Sequence, residues 1–451
     1  MNYRSQAKII SYNIDNDAVC ASAARISTTL GDANEIFENS KKNSNNDTLI
    51  KKVLKSGHRS VIEHAIFTIA LWNVSAYVEQ FFIECRLASF TVKSRRYVDF
   101  SNQGYYTPSD LNEKDLSVYC EYMDMLFEGY QALLKLDIPK EDARFLLPYS
   151  FNSNFYCTLN ARELINLISS IKNGRGKDIP ELQDLADQII SQVKDIFPCI
   201  LDDLIFAHQS TNLGLAPKNG QTSIASPVFL REEETGKVKL VNSPDNPKEI
   251  LEIANNVINS YESDINYNDL INSPRPRALE QLSYSFVISN ITLSGVTHMV
   301  RHRMQSIIIP PIQNINFNKY IIPDTIVNND EAKKIYQNII CKANEMLHIV
   351  KITDGLNKYL YYFALSGNVM DIMSTMNARE LLLFIKLRAC NRAQWEVREI
   401  AVRMLEYLRN NFPELFRLYG PSCYVSGRCP EGQMTCGKLK KVFEQFNKNS
   451  H

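Results

Sequence analysis

The sequence predicts an α+β fold made of two tandem copies of one unit, each copy a mixed β-sheet with long helices. Three observations support this prediction. A set of residues recurs at a constant offset, the strand-like and helix-like segments do not alternate regularly, and 451 residues exceed one ordinary domain of about 100–200 residues. Two domains are therefore expected.

The repeat is visible without gaps. The stretch NARELI at 160–165 recurs as NARELL at 377–382, an offset of 217 residues. The same offset relates three further pairs, namely Glu63 with Glu280, Arg86 with Arg303, and Ser89 with Ser306. Because four separated features share one register, the chain carries a duplicated long unit and is not a solenoid of short repeats.

Each copy begins with a predicted strand and a helix, and a second strand and long helices follow. The first strands and helices are AKIISYN and DAVCASAARIS in one copy, VKLVNSP and PKEILEIANNVINSY in the other. Segments rich in Phe, Ile, Thr and Val then predict strands, AIFTIALWNV and SYSFVISNITL, each before a helix that carries an arginine segment. Long amphipathic helices are predicted at 115–136 and 398–412.

A stretch rich in Gly, Pro, Ser and Thr at 212–236 is typical of a linker. We therefore expect a first copy at 1–219, a second copy with a cysteine-containing C-terminal loop at 220–440, and a tail at 441–451.

The charges balance, with 50 Lys and Arg against 50 Asp and Glu. No global field draws such a chain to nucleic acid or to an anionic membrane. No apolar run approaches the roughly 18 residues of a membrane span, and the N-terminus lacks the apolar core of a signal peptide. We expect a cytoplasmic protein that binds neither nucleic acid nor membranes.

Two polar clusters stand out in the first copy. His58, Ser60, Glu63 and His64 crowd before a strand, where the spacing of Ser60 and Glu63 also fits an ordinary capping box. Further along, guanidinium and hydroxyl groups able to hold a phosphate gather on a turn-like stretch, although a solvated basic loop is the alternative. These residues are Arg86, Ser89, Ser94, Arg95 and Arg96.

Each copy lacks polar or cationic residues that the other copy keeps. The second copy keeps Arg301, His302 and Arg303, but its following residues 307–311 are apolar and cannot bind phosphate through side chains. Arg144 of the first copy corresponds to Tyr361, and Arg388 of the second corresponds to Ile171. Because buried arginines without anionic partners cost several kcal/mol, this distribution predicts an anion site shared between the copies. The alternative is two decaying copies whose arginines form structural ion pairs.

Together these blocks resemble the flavin-dependent thymidylate synthases. The resemblance rests on RHRMQS (301–306), SRRY (94–97), HRSVIEH (58–64), ARFLLP (143–148), NAREL (160–164) and LRACNRAQWE (387–396), and it spans nearly the whole chain in two copies. It implies an enzyme that converts dUMP to dTMP with FAD, methylenetetrahydrofolate as carbon donor and NADPH as reductant. Enzymes of this family are homotetramers with sites shared between subunits. The tandem chain resembles two joined subunits, so a homodimer is implied, with half of the potential sites functional.

The resemblance also implies roles for individual residues. Catalytic roles fall on Arg388, Ser94 and His58. Contacts to dUMP fall on Ser94, Arg96, Arg144, His298, Arg301 and Arg388. Contacts to FAD fall on Ser60, Glu63, Arg301, His302, Arg303, Asn160, Arg162, Asn166, Asn377 and Arg379.

The chain departs from the family pattern around the substrate. Thr91 and Val92 stand where the family has Asn and Glu, Arg392 replaces a histidine, and His298 replaces a glutamine. Two alternatives therefore stay open: a related flavoenzyme that modifies another pyrimidine nucleotide at C5, and a flavin- or nucleotide-binding protein without turnover.

Three cysteines lie close together in a C-terminal stretch rich in Gly and Pro. Cys423, Cys429 and Cys436 lack the CxxC spacing of zinc knuckles, and Cys390 is one candidate for a fourth ligand. We expect no metal here, and the stretch is then a reduced structural loop. If a zinc or iron–sulfur site does form, these cysteines are the candidate ligands.

Overall fold

A computed structural model describes residues 4–206, 226–261 and 264–448. The expected boundary at 219–220 and most of the predicted linker lie outside these residues. The strands are β1 (Gln6–Tyr12), β2 (Ile66–Ser75), β3 (Ala88–Val92), β4 (Asn152–Asn160), β5 (Val228–Leu230), β6 (Lys237–Asn242), β7 (Ser283–Thr292), β8 (Ser306–Ile308), β9 (Lys319–Ile321) and β10 (Val369–Asn377).

Helices occupy most of the remaining chain. In the first copy they are α1 (Asn16–Arg25), α2 (Ala33–Lys41), α3 (Asn46–Lys55), α4 (Ala76–Ile83), α5 (Glu113–Lys135), α6 (Lys140–Ala143), α7 (Ala161–Lys172), α8 (Pro180–Ile196) and α9 (Leu201–Phe206). In the second copy they are α10 (Pro247–Asn259), α11 (Tyr267–Asn272), α12 (Leu293–Met299), α13 (Asp324–Val327), α14 (Asp330–Ile352), α15 (Asp354–Asn357), α16 (Ala378–Arg388), α17 (Trp395–Asn411), α18 (Pro413–Phe416), α19 (Ser422–Ser426) and α20 (Leu439–Lys448).

Both copies build the same four-stranded sheet, which confirms the α+β prediction. The strand orders are β1-β2-β4-β3 and β6-β7-β10-β8. Every neighbouring pair in the two sheets is antiparallel, so these sheets are not mixed as expected. Strands β2 and β3 do run in the same direction, but β4 lies between them and no parallel pair forms. A short parallel pair joins β5 to β9 separately.

The repeat register is kept to the residue. Strands β2 and β7, helices α5 and α14, and strands β4 and β10 each have bounds that differ by 217. Asn73 and Asn290 share the offset and adopt the left-handed conformation with φ of 54° and 55°. Their backbone N–H groups donate to Asn154 Oδ1 over 3.2 Å and to Asp371 Oδ1 over 2.8 Å. The predicted duplication is therefore confirmed down to a shared backbone irregularity.

The described residues form two compact units that are not two continuous halves. Unit 1 takes its residues from Met1–Glu128, Pro148–Gly220 and Ile349–Phe363, and unit 2 from Gly129–Leu147, Gln221–His348 and Ala364–His451. The exchanged segments, 129–147 and 349–363, overlap under the repeat offset, and each begins inside a long helix, α5 or α14. Each unit therefore contains one segment from the other copy.

Each exchanged segment is tied into its unit by hydrogen bonds to its backbone carbonyl groups. In unit 2, Ser366 N donates to Leu147 O over 2.9 Å and Gly367 N to Phe145 O over 3.0 Å. In unit 1, the Tyr122 hydroxyl donates to Phe363 O over 2.9 Å. The exchange is thus part of the packed interior of both units.

The C-terminal residues differ from the expected tail. Residues 441–448 continue α20, where Val442 and Phe446 are buried. Arg409 Nη1 donates to Phe446 O over 2.9 Å. Two apolar residues one helical turn apart give α20 a face that packs on unit 2. None of the helices in the described part of the chain combines the length and apolarity needed to span a bilayer.

Candidate functional site

Helix α12 in unit 2 leads directly into the Arg301–Arg303 turn. It begins after Thr292, whose hydroxyl accepts a hydrogen bond from Gly295 N over 2.9 Å. The buried Glu396 accepts from Thr292 N over 2.8 Å and from Thr292 Oγ1 over 2.5 Å. A Cβ atom on Gly295 would lie 2.6 Å from Glu396 Oε2. The start of α12 therefore fits closely against a buried carboxyl group.

Arg144, from the first copy, contributes to the same surroundings. Burial raises the pKa of Glu396 to about 7, while the hydrogen bonds from Thr292 and the positive charge of Arg144 act in the opposite direction. Arg144 itself is buried and donates from Nε to Glu141 O over 2.9 Å. Unit 2 thus places an arginine of the first copy beside a carboxyl group of the second.

The segment that carries Arg144 is anchored on the start of α17. Trp395 Nε1 donates to Asp142 Oδ1 over 2.9 Å, and Thr325 Oγ1 donates to Asp142 Oδ2 over 2.7 Å. The rings of Phe145 and Trp395 meet edge to face at 6.3 Å. Burial raises the pKa of Asp142, whereas both hydrogen bonds and the Arg144 charge lower it. Position 144 is held by these contacts.

The other end of α12 contacts Arg388, the last residue of α16. Arg388 Nη2 donates to His298 O over 3.4 Å, and its Nε donates to His302 Nε2 over 2.9 Å. The buried His302 imidazole has its Nδ1 3.3 Å from Glu380 Oε1 and its ring 4.9 Å from that of Phe384. Glu380, His302 and Arg388 therefore form a continuous chain of polar contacts.

This chain of contacts fixes the state of the imidazole. Since Arg388 donates to Nε2, that atom must accept, and the proton of a neutral ring lies on Nδ1, facing Glu380. Burial lowers the pKa of His302, the Arg388 charge lowers it further, and Glu380 opposes both. His302 is therefore a neutral acceptor inside unit 2, whereas Arg301 and Arg303 are exposed on the same turn.

That turn corrects one expectation about the arginine segment. We predicted a helix that carries residues 301–303, but α12 ends at Met299 and these residues follow it in a turn. The chain must bend here to enter strand β8, and the bend leaves Arg301 and Arg303 exposed while His302 turns inward.

In unit 1, the loop after β3 separates its three polar residues. Ser94 and Arg96 are partly exposed, whereas Arg95 is buried and forms an ion pair with Glu79. The expectation that Arg95 helps to hold a phosphate is therefore wrong. Its partner, on α4, comes 16 residues earlier in the chain, too far for local spacing to indicate the pair.

The other predicted flavin residues form matching sets in the two units. Glu63 Oε1 pairs with Arg162 Nη1 over 2.6 Å, and Glu280 pairs with Arg379 in the equivalent place. Asn160 and Asn377 cap α7 and α16, each accepting from a backbone N–H over 2.9 Å. Asn166 Nδ2 donates to Glu163 Oε2 over 3.2 Å.

The capping box considered for Ser60 and Glu63 does not form. Residues Arg59–His64 make a 3₁₀-helix that starts after His58 and has no side-chain cap. Ser60 and His58 are exposed. Glu63 pairs with Arg162 instead, because the tighter 3₁₀ turn changes the spacing that a capping box requires.

Unit 1 lacks the cationic residues that unit 2 collects. Tyr361, the equivalent of Arg144, is buried with its ring centroid 4.5 Å from that of Tyr77. Tyr362 donates to Glu181 Oε2 over 2.7 Å, and Glu181 binds Ser75 N over 2.8 Å, as Glu396 binds Thr292. Ile171 stands in place of Arg388. Unit 1 therefore has an aromatic and an aliphatic side chain where unit 2 has Arg144 and Arg388.

The C-terminal cysteines share one neighbourhood without a metal-binding arrangement. Burial raises the pKa of the Cys423 thiol, and the nearby thiols of Cys390, Cys429 and Cys436 raise it further. Arg392 links two of the segments by donating from Nε to Met434 O over 3.0 Å. Within the described ranges, no three His, Cys, Asp or Glu side chains are grouped as metal ligands.

The described structure assigns the predicted site residues to two units. Unit 2 collects Arg144, His298, Arg301 and Arg388, and unit 1 contains His58, Ser94 and Arg96. Three buried acidic residues, Glu79, Glu380 and Glu396, were not predicted as part of the site. For Glu79 the signal is a carboxylate in an otherwise apolar helix pattern, whereas Glu380 lies in the repeated NARELL stretch and Glu396 in the LRACNRAQWE block.

Comparison with known proteins gives one consistent result. A family model described as "Thymidylate synthase complementing protein" matches residues 8–199 and 239–414. The "Flavin-dependent thymidylate synthase" of Geobacter sulfurreducens is 33% identical over 177 residues, covering 38% of this chain and 75% of the relative. That of Clostridium tetani is 30% identical over 241 residues, covering 46% of this chain and 96% of the relative. Each relative therefore matches about one copy.

Among solved structures, the crystal structure of a UMP/dUMP methylase from Streptomyces cacaoi bound with 5-Br dUMP aligns with a TM-score of 0.39 and 23% identity. The alignment covers 46% of this chain and 96% of that one.

Proposed function

The chain belongs to the thymidylate synthase complementing protein family, and from that premise we propose that it is a flavin-dependent thymidylate synthase. It would methylate C5 of dUMP to give dTMP, with methylenetetrahydrofolate as the carbon donor and NADPH as the reductant. Its relatives carry the name flavin-dependent thymidylate synthase.

The observation that carries this proposal is the composition of unit 2. It contains Arg144 from the first copy together with Arg301 and Arg388 from the second. A non-catalytic flavin binder has no need of such a set, whereas a nucleotide monophosphate needs cationic groups for its phosphate and for charge on its base. If the two copies share one site, each copy can lose the arginines that the other copy supplies, and this is the pattern that the sequence has.

The residues expected to hold FAD fit that cofactor chemically. Arg301 and Arg303 are exposed on one turn, where guanidinium forks suit a diphosphate. The ion pairs of Arg162 and Arg379 are partly exposed, so a ligand can reach them. We propose that these four arginines, with Ser60, Glu63, Asn160, Asn166, Asn377 and His302, surround the FAD. When bound, the flavin would supply the redox chemistry of the reaction.

The chain's own residues would orient the substrate and tune its charge. Ser94, Arg96 and Arg144 would hold the dUMP phosphate, and His298 and Arg301 would complete the nucleotide contacts. Arg388 would stabilise negative charge that develops on the uracil ring. Its Nε is already committed to His302, which fixes the direction of the guanidinium. His58 would line the side where folate and nicotinamide enter.

We further propose that each active site is composite and that the working protein is a homodimer. Ser94 and Arg96 lie in unit 1, while Arg144 and Arg388 lie in unit 2. Arg96→Ala should sharply lower dTMP formation through a raised KM for dUMP, and Arg388→Ala should lower it through a reduced kcat. A mixture of the two variant chains regains activity when the halves of a site come from different chains. It stays inactive when each site lies within one chain.

The test of the activity is direct. Purified protein should show a flavin absorption spectrum and should oxidise NADPH only when dUMP and methylenetetrahydrofolate are both present, with dTMP as the product. Absence of flavin would contradict the proposal that this protein uses a flavin cofactor. Flavin and nucleotide binding without dTMP would favour the binding protein. Methylation of a different pyrimidine nucleotide would favour the related flavoenzyme.

A further inference from the structure

A buried ion pair connects the loop that carries Ser94 and Arg96 to helix α4. Arg95 Nη2 lies 2.5 Å from Glu79 Oε1, with the two side chains only 5% and 1% exposed. The Arg95 guanidinium also lies over the Phe151 ring, 5.0 Å from its centroid. The second oxygen of Glu79 accepts a hydrogen bond from Ser153 Oγ. Glu79, Arg95 and Ser153 therefore form a buried polar triad between α4, the loop and β4.

The loop residues on either side of Arg95 face the other way. The Arg96 guanidinium lies over the exposed ring of Tyr97, 5.5 Å from its centroid. Ser94 Oγ accepts from Arg96 N over 3.3 Å, and Ser94 O accepts from Val98 N over 3.0 Å. Arg95 is thus held in the interior between two partly exposed neighbours.

The second copy replaces the whole triad at once. The repeat offset relates Glu79 to Val296, Arg95 to Ile312 and Ser153 to Met370, and all three replacements are apolar and buried. The same copy has Pro311 and Gln313 in place of Ser94 and Arg96. The second copy therefore lacks both the triad and the loop residues Ser94 and Arg96, while its sheet and helices keep the repeat register.

Stability alone does not explain why the first copy keeps the triad. Desolvation of two charges roughly cancels their attraction, and apolar replacement of a buried ion pair is often neutral or stabilising. The second copy shows that this fold accommodates the apolar set. What the ion pair adds is direction, because hydrogen bonds between charged groups tolerate little change of geometry.

We propose that Glu79, Arg95 and Ser153 are positioning residues that hold Ser94 and Arg96 in the geometry required to bind the phosphate of a pyrimidine nucleotide. This inference rests on the proposed function, since it assigns the support for one part of that site. The triad itself is buried and would act through these two loop residues.

The second copy supplies the matched variant. Glu79→Val/Arg95→Ile/Ser153→Met introduces the residues that already pack at the equivalent place, so it removes the polar contacts without leaving an unpaired buried charge. We expect an unchanged or higher thermal midpoint and an unchanged flavin spectrum. The KM for dUMP should rise on the order of 10²-fold, as expected for a displaced binding group, with a much smaller change in kcat.

Two controls separate positioning from general damage. Arg4→Ala removes an exposed ion pair with Asp184 in the same unit and should leave the KM for dUMP unchanged. Arg96→Ala should raise that KM, and adding it to the triple variant should cause little further loss, because both changes act through the same phosphate contact. Full additivity of the two effects, or an unchanged KM in a stable triple variant, overturns the proposal.

The parent protein distinguishes failure of this inference from failure of the proposed function. If the parent binds dUMP in calorimetry but forms no dTMP, the proposed reaction is wrong. The triad is then tested by the loss of dUMP affinity in the triple variant. If the parent binds no dUMP and no other pyrimidine nucleoside monophosphate, the inference falls together with the function.

Discussion

Arg388 donates a hydrogen bond from Nε to Nε2 of the buried His302 over 2.9 Å. This contact uses the histidine as an acceptor, with its other nitrogen facing Glu380. The middle residue of the 301–303 turn therefore contacts the arginine at the end of α16, while its two neighbours are exposed. We infer that His302 sets the direction of Arg388.

Protonation of His302 should impair activity at acid pH. A charged imidazole cannot accept from Arg388 and would repel it. Because the pKa of His302 is lowered below 6.5, the loss should begin only below that pH. Stability should also decrease at acid pH. Because the unfolded chain binds this proton more readily than the folded chain, the free energy of unfolding falls as the pH drops from about 6.5 through the lowered pKa.

Two substitutions test this contact through pH profiles of kcat/KM for dUMP. His302→Gln keeps an acceptor near the Nε2 position and does not titrate, so it should retain activity and flatten the acid limb. His302→Ala should lower kcat/KM on the order of 10²-fold through misplacement of Arg388. An unchanged acid limb in His302→Gln would exclude this histidine as its source.

Glu396 should make the stability of unit 2 depend on pH. Its pKa is raised from 4.5 to about 7, so the folded state binds this proton more tightly than the unfolded state. The stabilisation is present below about pH 4.5 and is lost as the pH rises through 7. Glu396→Gln should reduce the change of the thermal midpoint with pH between pH 4.5 and 7.

Removal of the same side chain should be costly. Glu396→Ala leaves the buried Thr292 N–H without its partner, at a cost of about 1–3 kcal/mol. Denaturant unfolding of the alanine and glutamine variants measures the difference. Equal stability of the two at pH 6 would show that these hydrogen bonds contribute nothing.

The two left-handed asparagines should respond alike to substitution. Asn73 and Asn290 have positive φ, a conformation that costs residues with a Cβ about 1–2 kcal/mol. Alanine at either position should lower the thermal midpoint, and glycine should restore or exceed the parent value. A lower midpoint for glycine than for alanine would mean that the asparagine side chains, and not the backbone, govern these positions.

Trp395 should matter for nucleotide binding although it is not among the predicted contacts. Trp395→Phe removes the hydrogen bond to Asp142 that anchors the Arg144 segment. We expect a loss of about 1 kcal/mol of stability and a higher KM for dUMP. The matched control is Trp72→Phe, which alters the second tryptophan of the chain, in a strand of unit 1. Equal effects of the two substitutions would argue against the anchoring role.

Local patterns predicted the elements well and some contacts poorly. The predicted strands and helices at 7–13, 65–74, 115–136 and 398–412 all form, with small shifts at their ends. Ser60 and Glu63 had the spacing of a capping box, yet residues 59–64 form a 3₁₀-helix. Arg95 was grouped with Ser94 and Arg96, although its side chain turns inward to Glu79. Spacing along a short loop does not indicate which side chain faces the interior.

The sequence by itself determined the duplication, its register of 217 residues and the complementary loss of arginines, because identity and hydrophobic period are written locally along the chain. Only the tertiary structure decided that residues 129–147 pack in unit 2 and 349–363 in unit 1. An amphipathic helix such as α5 encodes a face to bury but not the partner against which it is buried. That choice depends on packing between residues distant in sequence, and it is this choice that brings Arg144 into the unit of Arg301 and Arg388.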